Sequence, residues 1–272
     1  MKYMTFNRSC SYTGLANMLE QFGINIEDRE IIMQAAIPYC FYYDGQEYFA
    51  GSMLQGKYWF DLFLKPKGLA IEEYRFSKHE LIDFLETNVN VMMGIKTIRR
   101  TESKHSVIYK GFEQGKYKFL NMRHETEQAP DFYIFTQQEL MKVCHNEIYC
   151  SKIVPADDKV SIDSSLAAQS YKNYDIYYNE MKVFLSQTPT FNDLSSEKNR
   201  LFTPLMLDIL SMLQIAGETE IYDVLYALRV EYMDMLKREN TDSFPKFRDS
   251  ILECMSKIGD LILEKNPYQH II

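Results

Sequence analysis

"HSVIYKGFEQGKYKFLNM", residues 105–122, decides how the rest of the chain is read. Two runs rich in β-branched and aromatic residues flank Glu-Gln-Gly, the pattern of an antiparallel hairpin. A three-residue loop of Glu113 to Gly115 pairs Phe112 with Lys116 and brings Val107 opposite Asn121. Strand side chains alternate, so His105 shares a face with Val107 and lies diagonally across from Asn121. A register slip of one residue places His124 opposite His105 instead.

Strand signals continue on both sides of this hairpin. "LAIEEYRF" and "VNVMMGIKT" precede it, and "FYIF" and "EIYCSKIV" follow it. Ser77 with Glu80, and Thr136 with Glu139, have the spacing of capping boxes and predict two short helices between the strands. "YWFDLFL" predicts a further helix stopped by Pro66 and Gly68. "CFYYDGQEYFAG" carries an Asp44-Gly45 turn and reads either as a hairpin or as a long loop.

Upstream, "FNRSCSYTGLANMLEQFG", residues 6–23, sets Leu15, Met18, Leu19 and Phe22 on one helical stripe, with Gly23 as the stop. Cys10 falls at or beside the start of that helix and off its stripe. A second helix is expected from Ile26 to Ile37, ended by Pro38. Residues 1–155 therefore read as an α+β domain, a helical start followed by a mostly antiparallel sheet. From Pro155 the composition turns polar, and residues 156–272 read as an all-helical bundle of about four helices. Its helices are expected over residues 165–186, from Thr203-Pro204 through Leu213, across "TEIYDVLYALRVEYMDMLKR", and from Ser243 to about Lys265.

Composition narrows the function classes. A formal charge of −8 opposes nucleic-acid binding, which needs a basic face to neutralise phosphates. No apolar run reaches the roughly 18 residues of a membrane helix. The opening "MKYMTFNRSC" lacks a signal core, so the expected compartment is the cytoplasm. An odd count of five cysteines opposes a disulfide framework. "CHNEIYC", residues 144–150, lacks a fourth zinc ligand at motif spacing, and its cysteines read as helix-end and strand residues. No cofactor or metal is called for.

A cysteine at a helix N-terminus is favoured as thiolate by the exposed N–H groups and the helix dipole. A strand-leading His with an amide partner supplies the base and fixes its tautomer. Cys10, His105 and Asn121 are thus the candidate nucleophile, base and orienting residue. Taken singly, each reads as readily as a buried thiol, a semi-buried imidazole or a turn-forming amide.

The order Cys, then a His strand, then an Asn strand resembles the papain-like cysteine enzymes. "SCSYTGLANMLEQFGINIEDREIIMQAA" and the hairpin are similar to two bacterial branches, the C39-type peptidases and the butirosin-biosynthesis acyltransferase type. The resemblance covers roughly residues 1–155 and implies a papain-like fold with a Cys-linked acyl-enzyme. It departs where Ser11 follows Cys10, where Asn121 replaces Asp-Pro, and where Asn7 is the nearest upstream amide for an oxyanion site. The acyltransferase branch implies an acyl or peptidyl carrier-protein thioester as donor, a small amine as acceptor and amide-bond formation. A C39-like peptidase or amidase and a non-catalytic binding module are the alternatives. The aromatic stretch around Asp44 then reads either as a partly buried hairpin or as a lid, with Tyr42, Tyr43 and Gln46 toward substrate. Carrier docking, homodimer formation and lid closure are the open roles of the helical region.

Overall fold

The computed structural model describes residues 1–6, 9–46, 48–96, 104–156, 166–187, 190–195 and 200–265. In chain order its helices are α1 (Cys10–Leu19), α2 (Asp28–Gln34), α3 (Lys57–Leu64), α4 (Lys78–Thr87), α5 (Gln137–Val143), α6 (Leu166–Ser186), α7 (Phe191–Ser195), α8 (Leu210–Ala216), α9 (Thr219–Arg238) and α10 (Phe244–Lys265). Its strands are β1 (Phe41–Tyr43), β2 (Tyr48–Ala50), β3 (Leu69–Phe76), β4 (Val91–Lys96), β5 (Lys104–Glu113), β6 (Lys116–Asn121), β7 (Phe132–Phe135) and β8 (Ile148–Pro155). The chain is α+β and divides into two units, residues 1–31 with 55–161 and residues 32–54 with 162–272.

The first unit is built on a six-stranded sheet in the order β3-β8-β4-β5-β6-β7, antiparallel throughout. Val107, Tyr109, Tyr117 and Phe119 pack with Leu81 and Leu85 of α4 and Leu140 of α5 in one buried cluster. Both capping boxes form, with Glu80 accepting from the Ser77 N–H (2.8 Å) and Glu139 from the Thr136 N–H (2.8 Å). Each pair satisfies helix-end donors that would otherwise lack partners.

α1 packs on β4 and β5. A Cβ at Gly14 would lie 2.6 Å from Met92 Sδ, so the missing side chain lets the helix approach the strand. The sequence stripe suggested a helix with one apolar face, yet every residue from Ser11 to Leu19 is buried. Buried polar groups on such a helix need partners of their own. Asn17 supplies both kinds: its amide donates to the Lys2 (3.1 Å) and Thr13 (2.9 Å) carbonyls, and its oxygen accepts from the Lys2 N–H (2.8 Å).

The expected second helix is shorter than its sequence pattern. α2 ends at Gln34, Ala36 turns left-handed (φ 53°), and Ile37–Tyr39 forms a separate 3-10 turn containing Pro38. The unit division falls just inside α2, after Ile31. Residues 32–54, which the sequence assigned to the sheet region, thus join residues 162–272. With them comes the β1–β2 hairpin, paired Phe41↔Ala50 to Tyr43↔Tyr48, so the second unit is not purely helical. The expected helices at residues 165–186, 219–238 and 243–265 form as α6, α9 and α10. Pro204–Ile209, expected as plain α-helix, is wound as a π-helix leading into α8.

Tyrosines build much of this second core. Tyr174 and Tyr177 are fully buried, and their hydroxyls donate to the Met255 (2.5 Å) and Leu201 (2.6 Å) carbonyls. Tyr39 packs edge-on against Tyr174 at 5.5 Å. Asp208, also fully buried, accepts from the Ser52 N–H (2.7 Å) and the Ser52 hydroxyl (3.0 Å). Gly51 before it has φ +59°, and a Cβ there would meet Asp208 Oδ2 at 2.1 Å. Burial pushes the Asp208 pKa up to about 7, and the two Ser52 donors offset only part of that.

A carboxyl whose pKa rises on folding binds more protons folded than unfolded between about pH 4 and its folded pKa. Its contribution to stability therefore falls as pH rises through that window. Urea unfolding of wild type and Asp208→Asn tests this. The stability of wild type relative to the variant should decline from about pH 4 to pH 7 and then level off. A difference independent of pH would contradict the assignment.

Candidate active site

Cys10 is the first residue of α1, and its position is set by the carboxylate of Asp28. Asp28 is fully buried and accepts five hydrogen bonds: Thr5 N–H (2.9 Å), Thr5 hydroxyl (2.5 Å), Ser9 hydroxyl (2.6 Å), Thr13 hydroxyl (2.9 Å) and Arg29 N–H (2.8 Å). Ser9 directly precedes Cys10 and Thr13 lies one turn beyond it. Asp28 thus ties the approach to α1 and its first turn to one point. The approach is also held at Met4, whose N–H donates to the Arg123 carbonyl (2.9 Å).

His105 and Asn121 come from β5 and β6, and their meeting depends on an irregularity. The turn is Gln114-Gly115 with φ of 52° and 77°, the positive values of a two-residue hairpin turn, so Glu113 pairs with Lys116 and Phe112 with Tyr117. Carried on unbroken, that register would put His124 opposite His105. A bulge between Tyr109 and Gly111 absorbs one residue, and Val107 pairs with Asn121 after all. The three-residue loop and the Phe112–Lys116 pair expected from sequence are wrong, while the expected Val107–Asn121 pair is right. His124 lies elsewhere, its Nδ1 2.9 Å from the Met4 carbonyl oxygen.

The amide of Asn121 fixes the state of the imidazole. Asn121 is 2% exposed, and its Nδ2 donates to the Pro130 carbonyl (2.8 Å). A carbonyl only accepts, so the amide nitrogen must face it and Oδ1 must face His105. Oδ1 lies 2.6 Å from His105 Nε2. Nε2 therefore carries a proton and Nδ1 is the ring nitrogen left for Cys10, whose electrostatics are coupled to those of His105. This is the tautomer a general base needs.

Electrostatics separate Cys10 from the other cysteines. Burial alone would push its thiol up, but the hydrogen bond and charge of His105 and the N–H and hydroxyl of Ser106 bring it below the ordinary thiol range. Burial opposes a charged His105, and it is overcome by the Cys10 hydrogen bond and charge, then by Asn121 and Glu127, so its pKa rises. The two shifts favour a thiolate–imidazolium pair. Cys40 and Cys150 are pushed up to about 12, and Cys144 and Cys254 to about 11, by burial. Cys144 and Cys150 belong to the sheet core, and no group of three metal-ligating side chains occurs among the described residues.

The structure thus brings Cys10, His105 and Asn121 together. Asn7 lies outside the described residues. Tyr42, Tyr43 and Gln46 belong to the hairpin of the second unit, where Tyr43 packs on Tyr48 at 4.7 Å and the Gln46 N–H donates to Asp44 (2.8 Å). Four residues escaped the sequence reading. Asp28 looks in sequence like an ordinary helix-start acid. Ser106 follows His105, and strand alternation could have sent it toward α1, where its hydroxyl meets that of Ser11 at 2.6 Å. Ser11 in turn meets Gln55 at 2.5 Å, a contact across 44 positions with no sequence signal. No helix among the described residues is long and apolar enough to cross a membrane. No protein-family model matches the chain, and no curated protein matches it in sequence.

Two measurements check the site. The pH dependence of Cys10 alkylation by iodoacetamide should have its midpoint below the free-thiol value near 8.5. In His105→Ala it should move up, since burial is then opposed by Ser106 alone. Asp28→Ala strands several buried donors, each unmet group costing about 1–3 kcal/mol, so urea unfolding should register a loss of at least about 3 kcal/mol.

Proposed function

We propose that the chain is a cysteine-dependent acyltransferase of papain-like type, which passes an acyl group from a carrier-protein thioester through Cys10 to a small amine, forming an amide. The observation that carries this reading is the oriented His105–Asn121 pair, with Nε2 committed to Asn121 and Nδ1 left for Cys10, together with a Cys10 pKa that His105 lowers. Burial without a base leaves the other four cysteines as weakly acidic core thiols, so the chemistry concentrates at one sulfur.

In the first half-reaction the thiolate attacks the thioester carbonyl and a new S–C bond forms. The tetrahedral intermediate collapses, the carrier's sulfur leaves, and the His105 imidazolium gives it a proton. In the second half-reaction the amine attacks the Cys10 thioester, neutral His105 takes the amine proton, and the Cys10 thiolate departs. The N–H groups of the first turn of α1 have no partners within the helix, and that of Cys10 is the donor offered to the oxyanion formed on the carbonyl carbon bonded to its sulfur. Asn121 keeps the imidazole aligned through both steps without adding a buried charge.

The donor and acceptor classes rest on the acyltransferase resemblance. Intact mass after incubation with acyl carrier-protein thioesters tests them. An acyl adduct should appear on wild type and be lost in Cys10→Ala, and added amines should discharge it as amides. Discharge to the free acid despite excess amine would assign a hydrolase, and absence of any adduct a binding module. His105→Ala should slow loading by about 10²–10⁴-fold, the usual worth of general acid–base catalysis.

A further inference from the structure

Asn121 is held in place by the loop that follows it. It closes β6, and the chain returns to β7 through residues 122–131, which form neither helix nor strand. That loop comes back onto Asn121 at two adjacent carbonyls. Asp131 accepts from the Asn121 N–H (2.8 Å), and Pro130 accepts from its Nδ2 (2.8 Å). The second contact is the one that turns Oδ1 toward His105 Nε2, 2.6 Å away. Glu125 to Gln128 and Pro130 are exposed, and a surface loop of this length does not by itself fix the position of one carbonyl.

Arg123 supplies that constraint. It is the only Lys or Arg in residues 122–131, and its side chain is 12% exposed. Nη1 reaches the carbonyls of His124 (2.8 Å), Glu125 (3.0 Å) and Glu127 (3.1 Å). Nε and Nη2 meet Asp131 Oδ1 at 2.8 Å and 2.5 Å. The loop is wrapped around one guanidinium, from its first residues to the residue after Pro130. Converging carbonyl oxygens repel one another unless a positive group lies among them. A planar fork serves carbonyls on one side and a carboxylate on the other, which a lysine ammonium does not reproduce. Arg123 also reaches the approach to α1. Its guanidinium lies over the Tyr3 ring, 4.8 Å from the centroid, and its carbonyl accepts from the Met4 N–H (2.9 Å).

We propose that Arg123 is a positioning residue of the candidate active site: it holds the 124–131 loop so that the Pro130 carbonyl meets Asn121 Nδ2 and Oδ1 stays on His105 Nε2. The two ends of an amide have nearly the same shape. Without the Pro130 carbonyl the Asn121 amide is free to turn Nδ2 toward the ring. A donor facing Nε2 favours the proton on Nδ1, and the lone pair left for Cys10 is lost. Arg123 touches neither the sulfur nor the imidazole and acts through Asn121. The inference deepens the proposed acyl-enzyme function and rests on it.

The test follows the His105 ring proton by NMR in the full chain labelled with nitrogen-15 histidine. Among the five histidines its signal is the one lost in His105→Ala. Above the pH at which the ring loses its charge, wild type should carry the proton on Nε2, protected from exchange with water. Arg123→Met should speed that exchange by about tenfold, the worth of one hydrogen bond, and move part of the proton population to Nδ1. Asn121→Ala should speed exchange similarly, and Arg123→Met added to it should change little, because the path ends at Asn121. Arg123→Lys keeps the charge without the fork and should fall between wild type and Arg123→Met. Urea unfolding shows which variants are folded, and Arg123→Lys carries the comparison if Arg123→Met is not. A loss of stability with the ring proton as in wild type would reduce Arg123 to a structural clamp and overturn the proposal. Equal effects of Arg123→Met with and without Asn121 would overturn it as well, since the loop would then act on the ring by another route. Acyl loading separates the two layers. A ring proton that responds to Arg123 in a protein whose Cys10 takes no acyl group upholds the positioning and ends the acyl-enzyme reading. An acyl adduct on a protein whose ring ignores Arg123 ends the positioning alone.

Discussion

The placement of the candidate site in the first unit depends on one buried carboxylate. Asp28 collects donors from Thr5, Ser9, Thr13 and Arg29, and these lie before, at and after the start of α1. Without such an acceptor the helix would start among hydroxyls with no common partner, and Cys10 would have no fixed position. An isolated buried carboxylate is costly, but one with both oxygens saturated is a rigid junction. The cost of burying the charge is offset by donors that themselves needed acceptors.

The second constraint is a compensation within the β5–β6 hairpin. The Gln114-Gly115 turn sets a register in which Asn121 would miss His105, and the bulge at Lys110 corrects it by one residue. Turn and bulge must therefore be considered together, since either alone shifts Asn121 relative to His105. Lys110 does not leave the sheet idle: its ammonium donates to Asn90 (2.8 Å), just before β4.

Local signals explain why so many elements were legible in the sequence. Ser77, Thr136, Gly23, Gly68 and Gly217 each mark a boundary through a mechanism confined to a few residues, and the strands around His105 declare themselves by β-rich composition. The Cys10, His105 and Asn121 cluster was legible because two of its members share one hairpin. What stayed hidden was nonlocal or compensating. The Asp28 donors are spread over 25 positions from Thr5 to Arg29 and carry no motif. Gln55 touches Ser11 across a gap that contains residues 32–54, which themselves fold with the second unit. The bulge at Lys110 was masked by an opposite error in the turn, so a correct pairing followed from an incorrect loop. The π-helix at Pro204–Ile209 has no periodicity of its own over six residues.

The choice of amide over carboxylate at position 121 bears on how one imidazole can serve both halves of the proposed reaction. Before acylation, the hydrogen bond and charge of the Cys10 sulfur are the leading influences that raise the His105 pKa, against burial, which lowers it. Acylation removes the sulfur's charge and its hydrogen bond together. Burial then dominates, and the imidazole shifts toward the neutral form needed to take a proton from the incoming nucleophile. A carboxylate in place of Asn121 would keep its negative charge against the ring throughout and hold the imidazolium after loading. Asn121 orients the ring through Nε2 and leaves its charge state to follow the sulfur. In the proposed reaction, the contact that prepares the thiolate for attack thereby also releases the base once the acyl-enzyme has formed.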